Sequence, residues 1–560
     1  MKKYNLSRKA ILLFLLFSVN LVLYAQKIEY LNSNNINAGI GTGGNLFSSV
    51  DSLYHLPYSG EGGITWNQFE VPKGSGKTGF YTAALWMCGQ DSAGNDYGAA
   101  NRYFDYGTDY YDGPIATTYN ASYDIFYHRV FKVTQIQINH FQNLSFPATS
   151  SQVDSSILYW PGKGNPSVLS DYQVNIAGKL APFVDINQNG IYEPLLGDYP
   201  SVSGDQSIFF VFNDSRGLHT ESNGSAFGME IRGLATSFTD TNTCIPSGGR
   251  NVLNNTVFVQ YQIENKSQKD YHNFNLGLFT DPDVGCPLND FVGCDSIRSL
   301  MFAYNGTATD PACNNIPGYD SLPIALGVQW LNQTMDVFGM FTSPGTVIPG
   351  PPGPISTAQY CNQLNGLWED GPPFRYGGVG YGDSTAPITK YLYSGDPNDT
   401  TQWSEVENHN EPWERKMYGT SGPVTFSQGE VKHYDFAFIT SYDITSNHIA
   451  IVDTLKLAAD YIKGFYSNCF LPEQVLGVFE LNGNQLAISI YPNPANDHVI
   501  ITAGNDIKSL RLMDIQGRLL LTETVGAKTI TLPVSNLAKG VYLVNIQCAG
   551  GNVVKRIVVE

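Results

Sequence analysis

Charge is scarce in this chain. Only 15% of its 560 residues are Asp, Glu, Lys or Arg, and the acidic ones prevail, giving a net charge of −18. That balance argues against nucleic acid and anionic membrane as partners, because both select a basic face. Beyond residue 23 no stretch approaches the ~18 unbroken apolar residues that a membrane-spanning helix needs. No CxxC occurs, so neither a cysteine zinc site nor a thioredoxin-type motif is indicated. There is no GxSxG and no HExxH, which removes the nucleophile elbow and the zincin helix. The nine histidines are scattered, and none forms a metal-spaced pair. Helical periodicity is nearly absent too, which leaves a barrel of alternating strands and helices without support.

What is present begins at the N-terminus. Lys2, Lys3, Arg8 and Lys9 form a positive leader, Ala10 to Leu23 is almost wholly apolar, and Leu23-Tyr24-Ala25 offers a small residue for cleavage. This is the layout of a secretory signal over residues 1–25, with Gln26 opening a soluble mature chain of net charge about −22. No cysteine lies near the cleavage point, so a lipid anchor there is not expected. In an exported chain the eight cysteines suggest disulfides. Seven precede the last domain, so at least one is left free or pairs across domains; connectivity stays open.

Glycine, tyrosine and phenylalanine are abundant, which favours short strands joined by many turns. In Thr256 to Ile263, the residues Val257, Val259, Tyr261 and Ile263 share one face. In Val431 to Ile439, the set Lys432, Tyr434, Phe436 and Phe438 opposes the set Val431, His433, Asp435, Ala437 and Ile439. Ile208 to Phe212 is apolar throughout, as a strand buried on both faces is. One helical stripe stands out, Asn447 to Tyr466, with Ile449, Val452, Leu455, Ala459, Ile462 and Tyr466 at three- and four-residue steps. The expected fold class is mainly β, a multidomain β-sandwich with one helix near 447–466 and a small Ig-like β-sandwich at the C-terminus. The expected divisions are a large β-rich region at 26–470, a linker at 471–485 and a tail at 486–560; Pro344 to Pro354 is read as a loop or subdomain seam.

The tail shows seven short strand candidates, with turn signals such as Asn493-Pro494, Gln516-Gly517 and Lys539-Gly540 between them. It also carries four motifs in order: Tyr491-Pro492-Asn493-Pro494-Ala495, the turn from Leu512 to Arg518, Leu537-Ala538-Lys539-Gly540-Val541-Tyr542, and Lys555-Arg556-Ile557-Val558-Val559. On these motifs the tail resembles the type A sorting domain of type IX secretion cargo, known from Bacteroidota. The resemblance implies passage across the outer membrane by the type IX secretion machinery. It implies removal of the tail by a sortase-like peptidase as well, with release or attachment to surface polysaccharide to follow.

The region before the tail has its own recurring stretches: Ala84-Leu85-Trp86, Ala181-Pro182-Phe183-Val184-Asp185, Gly197-Asp198-Tyr199-Pro200, Phe212-Asn213-Asp214, Asp281-Pro282-Asp283, Val292-Gly293-Cys294-Asp295 and Ser421-Gly422-Pro423-Val424. It is similar in these to a group of large Bacteroidota cargo proteins with the same tail and no established activity. That resemblance supplies architecture and address, and leaves the chemistry to the residues.

The most informative constellation is Asp185-Ile186-Asn187-Gln188-Asn189-Gly190-Ile191-Tyr192-Glu193. Oxygen-bearing side chains at the first, third and fifth positions, followed by glycine, match the first half of an EF-hand calcium loop. A tight turn folds alternate side chains onto one hard cation, and the Ile191 carbonyl is the next ligand expected. Leu196 stands where the bidentate Glu belongs, so Glu193 or Asp198 would close the site. The expected ligands are therefore Asp185, Asn187, Asn189, Ile191, Glu193 and Asp198, with calcium as the cofactor; a metal-free Asx-rich turn is the alternative.

A second acidic cluster, Asp281, Asp283, Asp290 and Asp295, also needs neutralising if its members converge. A solvated loop pinned by a disulfide is the preferred reading there. Gly39-Ile40-Gly41-Thr42-Gly43-Gly44 fits GxGxxG without the helix that should follow. Asn410-Glu411-Pro412 looks like a glycosidase strand end but lacks the alternating strands and helices of such a barrel. The function expected is a non-catalytic surface or extracellular β scaffold, calcium-stabilised, for adhesion, matrix or glycan contact. The alternative is a secreted hydrolase acting on polysaccharide or protein through a site that no motif reveals.

Overall fold

A computed structural model describes residues 28–48, 69–102, 107–240, 251–342, 353–469, 488–514, 519–548 and 551–559. The expected export signal at 1–25 and linker at 471–485 lie outside these residues, as does most of the 344–354 seam. The chain divides into two compact units, Met1–Glu473 and Gln474–Glu560.

The first unit is built on two facing antiparallel sheets. The larger runs in the order Asp290–Asp295, Leu300–Asn305, Ile324–Trp330, Val431–Tyr442, Thr256–Asn265, Met229–Ser237 and Gln206–Asn213, and both Tyr111–Asp112 and Phe131–Thr134 pair with the last of these. The smaller runs Val337–Phe341, Lys416–Phe426, Tyr271–Pro282, Phe80–Asp91 and Asp96–Ala100. Period-two alternation sets what each face buries. Val257, Val259, Tyr261 and Ile263 enter the core between the sheets, with Tyr434, Phe436 and Phe438 beside them. Phe80 of the smaller sheet meets Phe438 of the larger edge-on, with ring centroids 5.4 Å apart.

The outer face of the large sheet is covered as well. Phe258, Ala437 and Ile439 point outward there, under the helix Ile451–Asn468 and its buried stripe of Val452, Leu455, Ala459, Ile462 and Tyr466. The helix starts four residues later than the periodicity suggests. Asn447 Oδ1 accepts the N–H groups of Ile449 and Ala450, so the first expected turn is a capped lead-in. Ile208 to Phe212 is buried on both faces, as expected. Ile208, Phe210 and Phe212 face the inter-sheet core, and Phe209 and Val211 face a third cluster.

That third cluster is a helical layer that no periodicity in the sequence announces. The helices Ala121–Tyr127, Gln135–Gln142, Ser155–Leu158 and Pro166–Tyr172 pack over Phe209, Val211 and Leu234, with Trp160 and Tyr192 fully buried among them. A further short helix, Thr357–Leu364, is tied to the strand Phe80–Asp91 by the disulfide Cys88–Cys361. A second disulfide joins Cys286 to Cys313; Cys469 is also disulfide-bonded, and Cys294 is a buried free thiol.

The second unit is the small β-sandwich expected at the C-terminus. Among the described residues it has five strands, Ile488–Tyr491, His498–Asp514, Leu519–Pro533, Gly540–Cys548 and Gly551–Val559. Two pairs of the expected short strands are continuous: 499–502 with 509–513 in His498–Asp514, and 518–522 with 529–532 in Leu519–Pro533. The chain runs through Thr502 to Ser509 with shifts of register instead of a turn. Val499, Ile501, Leu510, Leu512, Val544, Ile546 and Ile557 form its aliphatic core.

Candidate metal loop

Loop 185–198 is closed at its neck by a two-stranded ribbon, in which Phe183 pairs with Pro200 and Val184 with Tyr199. The ribbon brings Asp185 and Asp198 together although they are 13 residues apart. Beyond the neck the loop coils on itself. Asp185 accepts N–H bonds from Gln188 at 2.7 Å, Asn189 at 3.3 Å and Gly190 at 2.7 Å. Asn187 Oδ1 accepts from Asn189 N, and Asn189 Oδ1 from Ile191 N. Gly190 has φ +77°, the left-handed conformation the spacing requires of it.

Glu193 folds back over this coil. Its Oε2 accepts the side-chain amides of Asn187 at 3.0 Å and Asn189 at 2.5 Å. Asp198 is fully buried at the neck, where its carboxylate accepts the N–H groups of Ile186 at 2.9 Å and Glu193 at 2.7 Å. Burial raises the Asp198 pKa above the usual aspartate value, and the nearby charges of Asp185 and Glu193 add to that. Of the six expected ligands, Asn187, Asn189 and Glu193 meet through their side chains, Asp185 and Asp198 hold backbone N–H groups of the same loop, and Ile191 takes part through its N–H, not its carbonyl. The loop's carboxylate, amide and carbonyl oxygens are the ligand type that a hard cation takes. With Asn187 and Asn189 offering N–H to Glu193, binding an ion requires both side chains to turn oxygen inward. Among the described residues no three His, Cys, Asp or Glu side chains form a metal group, so Asp185, Glu193 and Asp198 do not converge as a carboxylate trio.

The loop is anchored to the helical layer. The Tyr192 hydroxyl, fully buried, donates to the Ile157 carbonyl at 2.6 Å, and residues Pro194–Leu196 pack on the helix Ser155–Leu158. That helix forms one wall of a cleft of about 430 Å³. Arg129, Lys132, Tyr159 and Tyr172 line it, and residues so dispersed give no motif in the sequence.

The second acidic cluster is not a solvated loop. Asp281 and Asp283 are 4% and 7% exposed at the end of the strand Tyr271–Pro282, and Asp290, which opens the next strand, is fully buried. Sheet pairing carries the carboxylates inward, and the Cys286–Cys313 disulfide closes the connection beside them. Burial pushes Asp283 and Asp290 well above the usual carboxylate range, with neighbouring carboxylates adding to it. Asp295 stands apart and pairs with Arg298 at 2.7 Å. Asn410 also has a structural partner, since its amide donates to Glu405. Glu405 in turn forms a fully buried ion pair with Arg415 at 2.8 Å. Gly39 to Gly41 lies within a β-strand.

Residues 489–560 match the secretion system C-terminal sorting domain. The tail is a type IX sorting domain, and the chain is cargo of that system, delivered outside the cell or to its surface. No curated protein matches the chain. Among solved structures, a polysaccharide lyase aligns at 7% identity over 59% of this chain and 34% of its own, with a TM-score of 0.18. The BSP domain of a biofilm-associated protein aligns at 8% over 63% and 59%, with a TM-score of 0.12. Dimeric latent PorU from Porphyromonas gingivalis aligns at 8% over 63% and 31%, with a TM-score of 0.11. The chain spans less than two thirds of each, and likeness at this level carries no argument about fold or activity.

Proposed function

We propose that this cargo protein is a calcium-stabilised extracellular scaffold that acts by contact with matrix or glycan, without catalysis. The observation that supports this reading is the loop at 185–198. Its Asp185 and Glu193 carboxylates and side-chain amides belong to one turn, with the Asp198 carboxylate buried at its neck, in a compartment where calcium is plentiful. Asp185, Asn187 and Asn189 supply side-chain oxygens, Ile191 a carbonyl, and Glu193 or Asp198 the closing carboxylate. The ion's role is structural: it neutralises like charges and fixes the loop against the helical layer. Affinity is weak, on the order of 10⁻⁴ to 10⁻³ M, because the bidentate Glu is missing.

In the same reading, residues 1–25 direct the chain to the periplasm and residues 471–485 link the body to its tail. A sortase-like peptidase then removes the tail and leaves the body released or joined to surface polysaccharide. Terbium luminescence tests the loop directly. Wild type shows saturable sensitised emission that calcium displaces, and Asp185→Ala abolishes it; equal emission from both proteins defeats the proposal. Deleting residues 486–560 leaves the protein in the periplasm of its host, and normal surface delivery of the deletion contradicts the assigned address.

A further inference from the structure

The cleft beside the loop has a wall with unmet needs. Arg129 lies against the rings of Phe126, Phe131 and Tyr172, its guanidinium carbon 4.8 to 5.0 Å from each centroid. Among the described residues its one hydrogen bond is a long contact of 3.4 Å from Nη1 to the Tyr172 hydroxyl. Among the described residues Nε and Nη2 are covered and have no acceptor, and no carboxylate lies within ion-pair distance of this guanidinium. The Ser156 hydroxyl, also in the wall, is buried without a partner. Unmet buried donors are costly, and here all of them call for an acceptor.

The rest of the wall narrows the choice of acceptor. Lys132 is not the unmatched cation. It donates to the Tyr30 carbonyl at 2.6 Å and feels the charge of Glu29, which shares the cleft. Tyr159 and Tyr172 stand edge to face, 5.2 Å between centroids, and both are partly exposed. Partly exposed tyrosines present an apolar plate with a polar rim, which suits a ring carrying C–H groups on its face and hydroxyls at its edge. The cleft volume lies within the range of small-ligand sites, roughly 300 to 1,000 Å³.

We propose that this cleft binds the carboxylate-bearing sugar unit of an acidic polysaccharide, with Arg129 facing the carboxylate and Tyr159 and Tyr172 against the sugar ring. The guanidinium fork matches a carboxylate, and a sugar's hydroxyls serve both the Ser156 donor and the acceptors of the rim. The proposal deepens the contact role given above and does not depend on the calcium loop.

The test is calorimetric titration of the full chain with trigalacturonate, its neutral counterpart trigalactose and a sulfated trisaccharide. Trigalacturonate binds and trigalactose does not. Arg129→Gln weakens binding by about tenfold or more, and Arg129→Lys, which keeps the charge, retains part of it. Ser156→Ala, the mildest change, weakens binding about threefold and carries the test if the Arg129 variants fail to fold. Equal affinity for neutral and acidic sugars, indifference to these substitutions, or no binding of trigalacturonate overturns the proposal. Preference for the sulfated sugar overturns the carboxylate assignment. Calcium-displaceable terbium emission is unchanged in Arg129→Gln, so failure here leaves the calcium reading separately decided.

Discussion

The loop at 185–198 and the strand ends at 281–310 draw on the same residues, Asp, Asn and Gly, in different surroundings. In the loop, Asp185, Asn187 and Asn189 sit on a surface coil and take backbone N–H groups from their own turn. At the strand ends, sheet pairing buries Asp281, Asp283 and Asp290 between layers, near Lys416 and Arg415. One set lies at the surface, where a cation from solution can reach it. The other is compensated from within, by fixed cations and by a shift toward the protonated form. Acidic composition alone does not mark an ion site; burial and the direction of the available donors do.

The largest expected effect lies on the buried side. Arg415 and Glu405 are both fully buried, and Arg415 also lowers the pKa of Asp290. Arg415→Met strands Glu405 and is expected to cost about 3–5 kcal/mol in urea unfolding. A loss below about 1 kcal/mol contradicts internal compensation as the organising feature of this region.

Asp435 calibrates the same idea elsewhere in the large sheet. Burial raises its pKa to about 6, although Tyr466 donates to it at 2.5 Å. Because the folded value exceeds the unfolded one, its contribution is fully present below about pH 4 and is lost as pH rises through about 6. Folding stability should fall by about 3 kcal/mol across that window, and Asp435→Asn should flatten the fall. Matching pH profiles for variant and wild type rule the shift out.

A smaller effect separates the two acidic regions by sign. Asp290→Asn keeps an acceptor for the Val284 N–H at 3.1 Å and removes a carboxyl that burial pushes well above its usual range. Its stability stays within about 1 kcal/mol of wild type in mild acid and gains on wild type as pH rises. The equivalent change in the loop, Asp185→Asn, lowers stability, and does so only while calcium is present. The same sign at both sites erases the distinction between the two regions.

Much of the fold could be read before any coordinates. Val257, Val259, Tyr261 and Ile263 announce a strand because a sheet with two different faces imposes a period of two. The stripe from Ile449 to Tyr466 announces a helix long enough to repeat its period. The helices Ala121–Tyr127 and Pro166–Tyr172 do not, since seven residues span two turns and their aromatic residues read equally well as strand. In the tail, the segment between Thr502 and Ser509 looks like a turn, yet the strand bends through it with shifted register. The six ligand candidates at 185–198 were visible because a single turn needs fixed spacing. The cleft was not, because Glu29, Arg129, Ser156 and Tyr172 come from separate elements that only packing over the large sheet brings together. The inward turn of Asp283 and Asp290 was hidden for the same reason.

In the proposed reading, the surface loop takes calcium and the buried cluster needs none. Thermal unfolding of the full chain, with about 10 mM calcium and then with excess chelator, tests it most directly. At the affinity expected, calcium adds about 1–3 kcal/mol, a rise of a few degrees in Tm. Asp185→Ala should remove that rise, while Asp290→Asn should leave it intact. A wild-type transition that chelator does not move would show that the loop is a polar turn without an ion.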